Sequence, residues 1–402
     1  MNILLLNHYA GNPKFGMEFR PFYLAKEWTK QGHKVLIVGG TFSHLRKIQP
    51  QAGRENYDGI DYLWLKTNSY SSNGLKRVLS MFLFVFQLFI HIKSFTQFKP
   101  DAVIASSTYP LDIYPARYIA KKNKAKLVFE IHDLWPLSPM ELGHMSKYHP
   151  FIMLMQMAEN YAYKHCDTCV SILPCVHEHV KAHGLDLKKL HLVPNGVVIE
   201  DWENLEPLPP EASTFFEELK ENGKFIVGYA GGHTLSNALD YFIEARKFIV
   251  DDSVVFVLVG NGVKKHTLEQ KVKMENISNI YFLPPVPKLQ IPSLLSLMDV
   301  LYVGGAANPL YRFGISPNKI FDYMMASKPI IQPIQAANDM ITEASCGIPL
   351  ESENPQAVAD AIMKLKGLTP EQRKILGENG HTYVLKNHTY AVLTERFLTA
   401  IK

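Results

Sequence analysis

A few short segments of this 402-residue chain hold most of the residues able to do chemistry. The densest is Phe313-Gly314-Ile315-Ser316-Pro317-Asn318-Lys319-Ile320-Phe321-Asp322-Tyr323. Ser316 is a natural N-cap and Pro317 a natural first helical residue, so the pair predicts a helix opening there. Unpaired N–H groups at such an opening attract anions. Lys319 in the first turn opposes the helix dipole, so it serves an anion better than it serves the helix. A diphosphate fits Asn318 and Lys319. Asp322 falls one turn beyond Asn318 on the same face, placed to accept from a sugar hydroxyl.

A second anion cradle is predicted where Gly228-Tyr229-Ala230 runs into Gly231-Gly232-His233-Thr234-Leu235-Ser236-Asn237, with Ser236 or Asn237 capping the next helix. Val259-Gly260-Asn261-Gly262 is a similar turn. Near the start, Gly11 and Gly16 lie in a loop after the first apolar run, before a helix beginning near Glu18 or Phe19. This is either an ordinary strand-to-helix turn or a place where backbone N–H groups meet a diphosphate. It is not a G-x-G-x-x-G fingerprint. His132-Asp133 directly follows the strand-like Lys126–Ile131. The pair therefore sits at the carboxyl edge of a parallel sheet, where it either orients ligand hydroxyls or caps the next turn. Val193-Pro194-Asn195-Gly196-Val197 reads as a hinge turn.

Cys166, Cys169, Cys175, His177, His179 and His183 invite a zinc reading. Cys166 and Cys169 fall in or beside a strand with no second pair, so buried thiols and surface histidines are expected, and no metal. Four cysteines make no disulfide framework.

These groups must be positioned by elements. Asn2–Leu6, Val35–Val38, Ala102–Ala105, Lys126–Ile131, Thr168–Leu173 and Leu190–Val193 read as strands, alternating with helices around residues 22–28, 112–123 and 151–165. The same alternation runs from Phe225–Tyr229 to Pro329–Ile331, and the chain from about Pro370 reads as helical. Strand–helix–strand order predicts parallel sheets with right-handed crossovers. The Pro- and Glu-rich stretch 200–211 separates the halves. The expected fold class is α/β: two Rossmann-like parallel-sheet domains facing a central cleft. The expected divisions are residues 1–200, 201–385 and a C-terminal helix, 386–402, packing back on the first domain.

Composition narrows the partners. With 47% hydrophobic and 20% charged residues the chain is ordinarily globular. Residues 1–195 carry a formal charge of +9 and the remainder −5. A basic half suits phosphates or an acidic membrane surface, and no nucleic-acid-binding signature is present. No signal peptide is expected, because the first apolar run is short and ends in Asn7-His8. Residues 78–92 hold 12 apolar residues in 15, with Ser80, Gln87 and His91 along one stripe. That is a helix with a broad apolar face and a narrow polar seam, too short to span a bilayer. It is either buried against the sheet or interfacial. The basic flanks Lys76, Arg77 and Lys93 favour the interface, with Phe82, Phe86 and Phe89 entering it.

Taken in order, the first glycine loop, HDLWP, VPNGV and the helix-opening SPNKIFDY resemble family 4 of the retaining, nucleotide-sugar-dependent glycosyltransferases, which have the GT-B fold. NHYAG, FGMEFRPFYLAKEW and SPNK…DYM look most similar to its bacterial surface-polysaccharide branch, which includes N-acetyl-fucosamine-type transferases. The resemblance implies a nucleotide-sugar donor, with uridine the family preference, and a polyprenyl-diphosphate-linked sugar acceptor in O-antigen or capsule synthesis. It also implies no cofactor, and a cytoplasmic protein peripheral on the inner face of the plasma membrane. Gly16, Gly232, His233, Ser236, Asn237, Asn318, Lys319 and Asp322 would bind the donor. Glu18, Arg20 and Asp133 would meet the acceptor. His132 and Lys319 would be catalytic. The chain departs from the pattern at Gly314, where the first Glu of the family's Glu-x7-Glu motif is expected, and in lacking Arg and Lys after the first strand of the second half. Phosphate charge then falls to Lys319, with Arg312 or Lys288. A nucleotide-sugar 2-epimerase of the same architecture and a non-catalytic nucleotide-sugar-binding protein are the alternatives.

Overall fold

The computed structural model describes residues 1–16, 19–71, 74–203 and 205–402. Glu18, named above for the acceptor, lies outside the described residues. The chain divides into two compact units, Met1–Asn195 with Tyr390–Lys402, and Gly196–Thr389. The sequence-based divisions at 200/201 and 385/386 lie a few residues away.

The first unit is built on an eight-stranded sheet of β1 (Asn2–Leu6), β2 (Lys34–Gly40), β3 (Gly53–Tyr57), β4 (Ile60–Leu65), β5 (Ala102–Ala105), β6 (Lys126–Ile131), β7 (Thr168–Ser171) and β8 (Leu190–Leu192). The order is β3-β4-β2-β1-β5-β6-β7-β8. All neighbours are parallel except β3 and β4. The chain runs outward from β1 through β2 and β4, then returns to place β5 on the other side of β1. This reversal makes the carboxyl ends of β1 and β5 the topological switch point, the usual ligand position in open α/β sheets. The terminal helix Tyr390–Ile401 belongs to this unit, with ring contacts from Tyr390 to Tyr23 and from Phe397 to Trp28.

The second unit holds β9 (Phe225–Ala230), β10 (Val254–Val259), β11 (Ile280–Leu283), β12 (Val300–Tyr302), β13 (Ile330–Pro333) and β14 (Gly347–Leu350), in the parallel order β11-β10-β9-β12-β13-β14. Its central strands are apolar at every position because both faces are covered. Ile226, Val255, Val257 and Leu301 enter one core, and Val227, Phe256, Leu258 and Val300 the other.

The helix Leu75–Ile90 differs from the soluble norm. Its buried residues are Ser80, Met81, Phe84 and Leu88. Leu75, Leu79, Phe82, Phe86, Phe89 and Ile90 are exposed. The polar seam thus turns inward with Ser80, and much of the apolar face turns outward. A short helix, Ile92–Phe98, follows at a 58° bend, and no single helix among the described residues is long and apolar enough to cross a membrane.

Candidate functional site

At the carboxyl edge of the first sheet, one buried carboxylate organises several elements. Glu130, the fifth residue of β6, is 1% exposed and pairs with Arg20, itself 2% exposed, at 2.9 Å. Arg20 also donates to the carbonyls of Pro194 at 2.6 Å and Val193 at 2.7 Å. Burial alone pushes the Glu130 carboxyl up, but Arg20, then His132 and Ser106, outweigh it and hold the group at about 2. It is ionised throughout the physiological range. The other Glu130 oxygen accepts from Ser106 Oγ at 2.6 Å. His132 Nε2 lies 2.9 Å from Ser106 Oγ and 3.2 Å from Glu130. With the serine proton given to Glu130, the imidazole must carry its hydrogen on Nε2, an assignment made from the network. In the neutral imidazole Nδ1 is then the acceptor, and it has no hydrogen-bond partner among the described residues. Asn7 Nδ2 fixes the adjoining strand end by donating to the Ser106 carbonyl at 2.8 Å.

Two sequence-based roles change here. Arg20 is locked beneath the surface by Glu130 and backbone carbonyls, so it positions the site and does not meet an acceptor. Asp133, expected to meet the acceptor, takes the capping alternative: its Oδ1 accepts from Leu134 N at 2.9 Å and Ser138 Oγ at 2.6 Å. Gly16 sits at φ 101° with its amide donating to Asn12 O at 2.9 Å, and an added Cβ would come within 3.2 Å of the Lys47 amide. Arg77 does not share the exposed helix face. It is half-buried, donates to Tyr9 OH at 3.4 Å and lies over the Tyr9 and Trp135 rings.

In the second unit the groups converge on Lys319. Its Nζ donates to Asn237 Oδ1 at 2.7 Å and Tyr229 OH at 2.8 Å, and sits 4.7 Å from the Tyr229 ring centroid. Both partners are themselves anchored on the Gly232 carbonyl, Tyr229 OH at 2.7 Å and Asn237 Nδ2 at 2.7 Å. Two of three ammonium hydrogens are thereby used, and one remains for a ligand. No carboxylate among the described residues pairs with this cation, and burial pushes its pKa down to about 8. Gly231 makes the placement possible: at φ 150°, its absent Cβ would lie 2.5 Å from Lys319 Cε. The loop before Lys319 is pinned by Asn338, which accepts from Ile315 N at 2.7 Å and donates to Ile315 O at 3.0 Å.

Several local expectations shift. The helix Asn318–Met325 opens one residue late, with Pro317 as N-cap and no side-chain cap. Neither Ser236 nor Asn237 caps the next helix, because Ala238 takes a left-handed turn at φ 47° and becomes its N-cap. Ser236 instead bonds Thr234 Oγ1 at 2.9 Å. His233 is fully buried, with both ring nitrogens unpartnered among the described residues and its ring beside Tyr229 and Phe282. Burial, then Lys265 and Lys319, pushes its pKa down to about 4, so it supports the loop as a neutral imidazole. Burial raises Asp322 to about 6, with Lys288 and Asp201 as its charged neighbours. Arg312 is exposed, donating to Pro309 O at 2.6 Å.

Glu130, Ser106 and Tyr229 are the residues that sequence reasoning left without roles. A carboxylate inside the run Leu127-Val128-Phe129-Glu130-Ile131 is a signal in itself, since such groups are buried only when paired. Tyr229 carries no such mark. Among the cysteine–histidine candidates, Cys166 and Cys169 are buried thiols, while His179 bonds Glu159 at 2.8 Å with His183 nearby.

Comparison with known proteins agrees with this layout. Residues 16–201 match the family described as Glycosyltransferase Family 4, and residues 224–366 match Glycosyl transferases group 1. WcaI of Escherichia coli K12, provisionally named a colanic acid biosynthesis glycosyl transferase, is 23% identical over 84% of this chain and 85% of its own length. The solved structure of Anabaena HepE in complex with UDP-glucose superposes with a TM-score of 0.67 at 14% identity, covering 99% of this chain and 98% of that one. WaaG, a glycosyltransferase involved in lipopolysaccharide biosynthesis, superposes with a TM-score of 0.68 at 13% identity over the whole of both chains. The chain therefore has the GT-B fold, with a first stretch that matches Glycosyltransferase Family 4 and a second that matches Glycosyl transferases group 1.

Proposed function

We propose that the protein transfers a sugar, with retention of configuration and without a metal, from a nucleoside-diphosphate donor to a lipid-linked saccharide. A UDP-linked acetamido sugar, of the N-acetyl-fucosamine type, and an O-antigen or capsule intermediate are the preferred substrates. The observation that carries the reading is Lys319: a half-buried cation with no carboxylate partner among the described residues, one free hydrogen and a glycine beneath it. Such a group stabilises charge developing on a departing diphosphate. The Asn318 and Lys319 amides, in the first helical turn, add to it. In its neutral form His132 offers Nδ1 as an acceptor for a sugar hydroxyl. No carboxylate is required as nucleophile if the acceptor attacks on the face the leaving group vacates.

The membrane part of the proposal rests on the exposed Phe82, Phe86 and Phe89, with Lys76 and Lys93 also exposed. A helix that hides its serine and presents phenylalanines suits an interfacial position at an anionic bilayer. The protein would then work peripherally on the inner face of the plasma membrane.

The test is turnover with a panel of UDP-sugars and a lipid-linked acceptor, in EDTA. Lys319→Ala is expected to lower kcat by roughly a hundredfold or more, the loss typical of removing one transition-state charge donor, with an unchanged unfolding curve. Near-normal turnover in that variant removes the phosphate role, and loss of activity in EDTA removes the metal-free reading. Interconversion of the donor without acceptor would favour the epimerase alternative.

A further inference from the structure

At the opposite edge of the first sheet from His132, the helices Ile113–Asn123 and Pro150–His165 end beside the start of β6. A cavity of about 390 Å³ lies there, lined by Arg117, Lys121, Lys124, Lys126, His165 and Asp167. Cations are favourable near helix C-termini, which accounts for part of this charge. It does not account for how the charges are left. Among the described residues Arg117 is engaged only by the phenol and ring of Tyr161. Lys121, Lys124 and Lys126 are exposed, and their side chains make no ion pair or hydrogen bond among the described residues. The lone carboxylate, Asp167, has one oxygen committed to the Leu127 amide at 2.8 Å. His165 is held below its ordinary range by burial, then by Arg117, Lys164, Lys121 and Lys189, so it adds no positive charge near neutrality. Four cations thus surround a concave space with one carboxylate among them.

The neighbouring surface says what kind of anion this would be. The helix Ile92–Phe98 and the helix Pro150–His165 both pack against Ile113–Asn123. The outward sides of this layer carry Phe82, Phe86 and Phe89, then Tyr118, then Met153 and Met157, all at least 40% exposed. A free phosphate would use the cavity and ignore that apolar surface, whereas an anionic lipid uses both.

We propose that this cavity binds the phosphate headgroup of an anionic lipid, docking the first unit by a specific site as well as by its apolar helix. The proposal deepens the membrane reading above and rests on it.

Vesicle binding tests it, with phosphatidylcholine vesicles with and without phosphatidic acid as the probe. Lys121→Glu/Lys124→Glu reverses two cavity charges. Lys122→Glu/Lys164→Glu reverses two exposed charges that do not line the cavity. The expected result is that the cavity pair weakens binding to the acidic vesicles at least tenfold more than the control pair, with UDP binding retained by both as evidence of folding. Equal losses mean diffuse attraction and overturn the site. Inorganic phosphate bound by the wild type and lost in the cavity pair, with vesicle binding equal in both pairs, assigns the cavity to a soluble anion and also overturns it. Failure of the membrane reading itself looks different: wild-type protein ignores every vesicle, or Phe82→Glu/Phe86→Glu binds as the wild type does.

Discussion

Lys319 and Glu130 are opposite solutions to burying a charge. Glu130 has a fully desolvated partner in Arg20, and the pair is geometrically fixed. Lys319 has only neutral oxygens, so burial is uncompensated and its pKa falls to about 8. The sign of the consequence follows directly. An anion binds the protonated amine, so above about pH 8 binding requires uptake of a proton by the free protein. UDP affinity is expected to be flat below pH 7.5 and to fall by up to tenfold per pH unit above pH 8, as calorimetry would show. Lys319→Ala should bind weakly with no such slope. A slope that survives in the variant would place the titrating group elsewhere.

Elements matter here because they decide how closely backbones approach. The strand β9 delivers Gly231 directly beneath Lys319, and a methyl group there would occupy the space of Cε. Gly231→Ala also forces an unfavourable backbone angle, costing roughly 1–3 kcal/mol. UDP affinity should drop at least tenfold in Gly231→Ala, and the same change made on Lys319→Ala should cost little further affinity, a non-additivity that a double-mutant cycle reads out. Full additivity would show that the glycine acts independently of the lysine. Much of this layer was legible beforehand. The apolar runs of β1, β9 and β10 are continuous because both sheet faces are covered, and SPNKIFDY announces its helix by composition. Other parts carried no sign. The helix expected to follow directly on Ser236 or Asn237 begins only after Ala238, a residue type that gives no hint of a left-handed turn. The strand β3 reads GRENY, polar and largely exposed because it lies at the sheet edge, so periodicity misses it. The reading puts His132-Asp133 on the correct sheet edge, but sequence spacing cannot say which of two adjacent polar groups turns inward.

Across the whole molecule, the chain ends in the unit where it began. The helix Tyr390–Ile401 buries Leu393, Phe397, Leu398 and Ile401 among residues of the first unit. Each such side chain contributes about 1.5–3 kcal/mol on burial, and their sum is comparable to the entire 5–15 kcal/mol stability of a typical domain. A protein truncated after Thr389 is therefore expected to lose the cooperative unfolding of the first unit while the second still binds UDP. Intact two-step denaturation of the truncated chain would contradict this. The halves also differ in formal charge, +9 against −5, which suits the proposed anionic partners to the first.

The tautomer imposed on His132 also has a consequence for chemical selectivity. In the neutral imidazole, with Nε2 committed to serine and carboxylate, the remaining lone pair can greet only an incoming proton donor. A free alcohol is welcome at that position; its methyl ether or keto counterpart presents electrons to electrons and is turned away. If this imidazole meets the sugar as proposed, the protein would screen sugars by whether one particular oxygen still bears its hydrogen, before any question of ring stereochemistry arises.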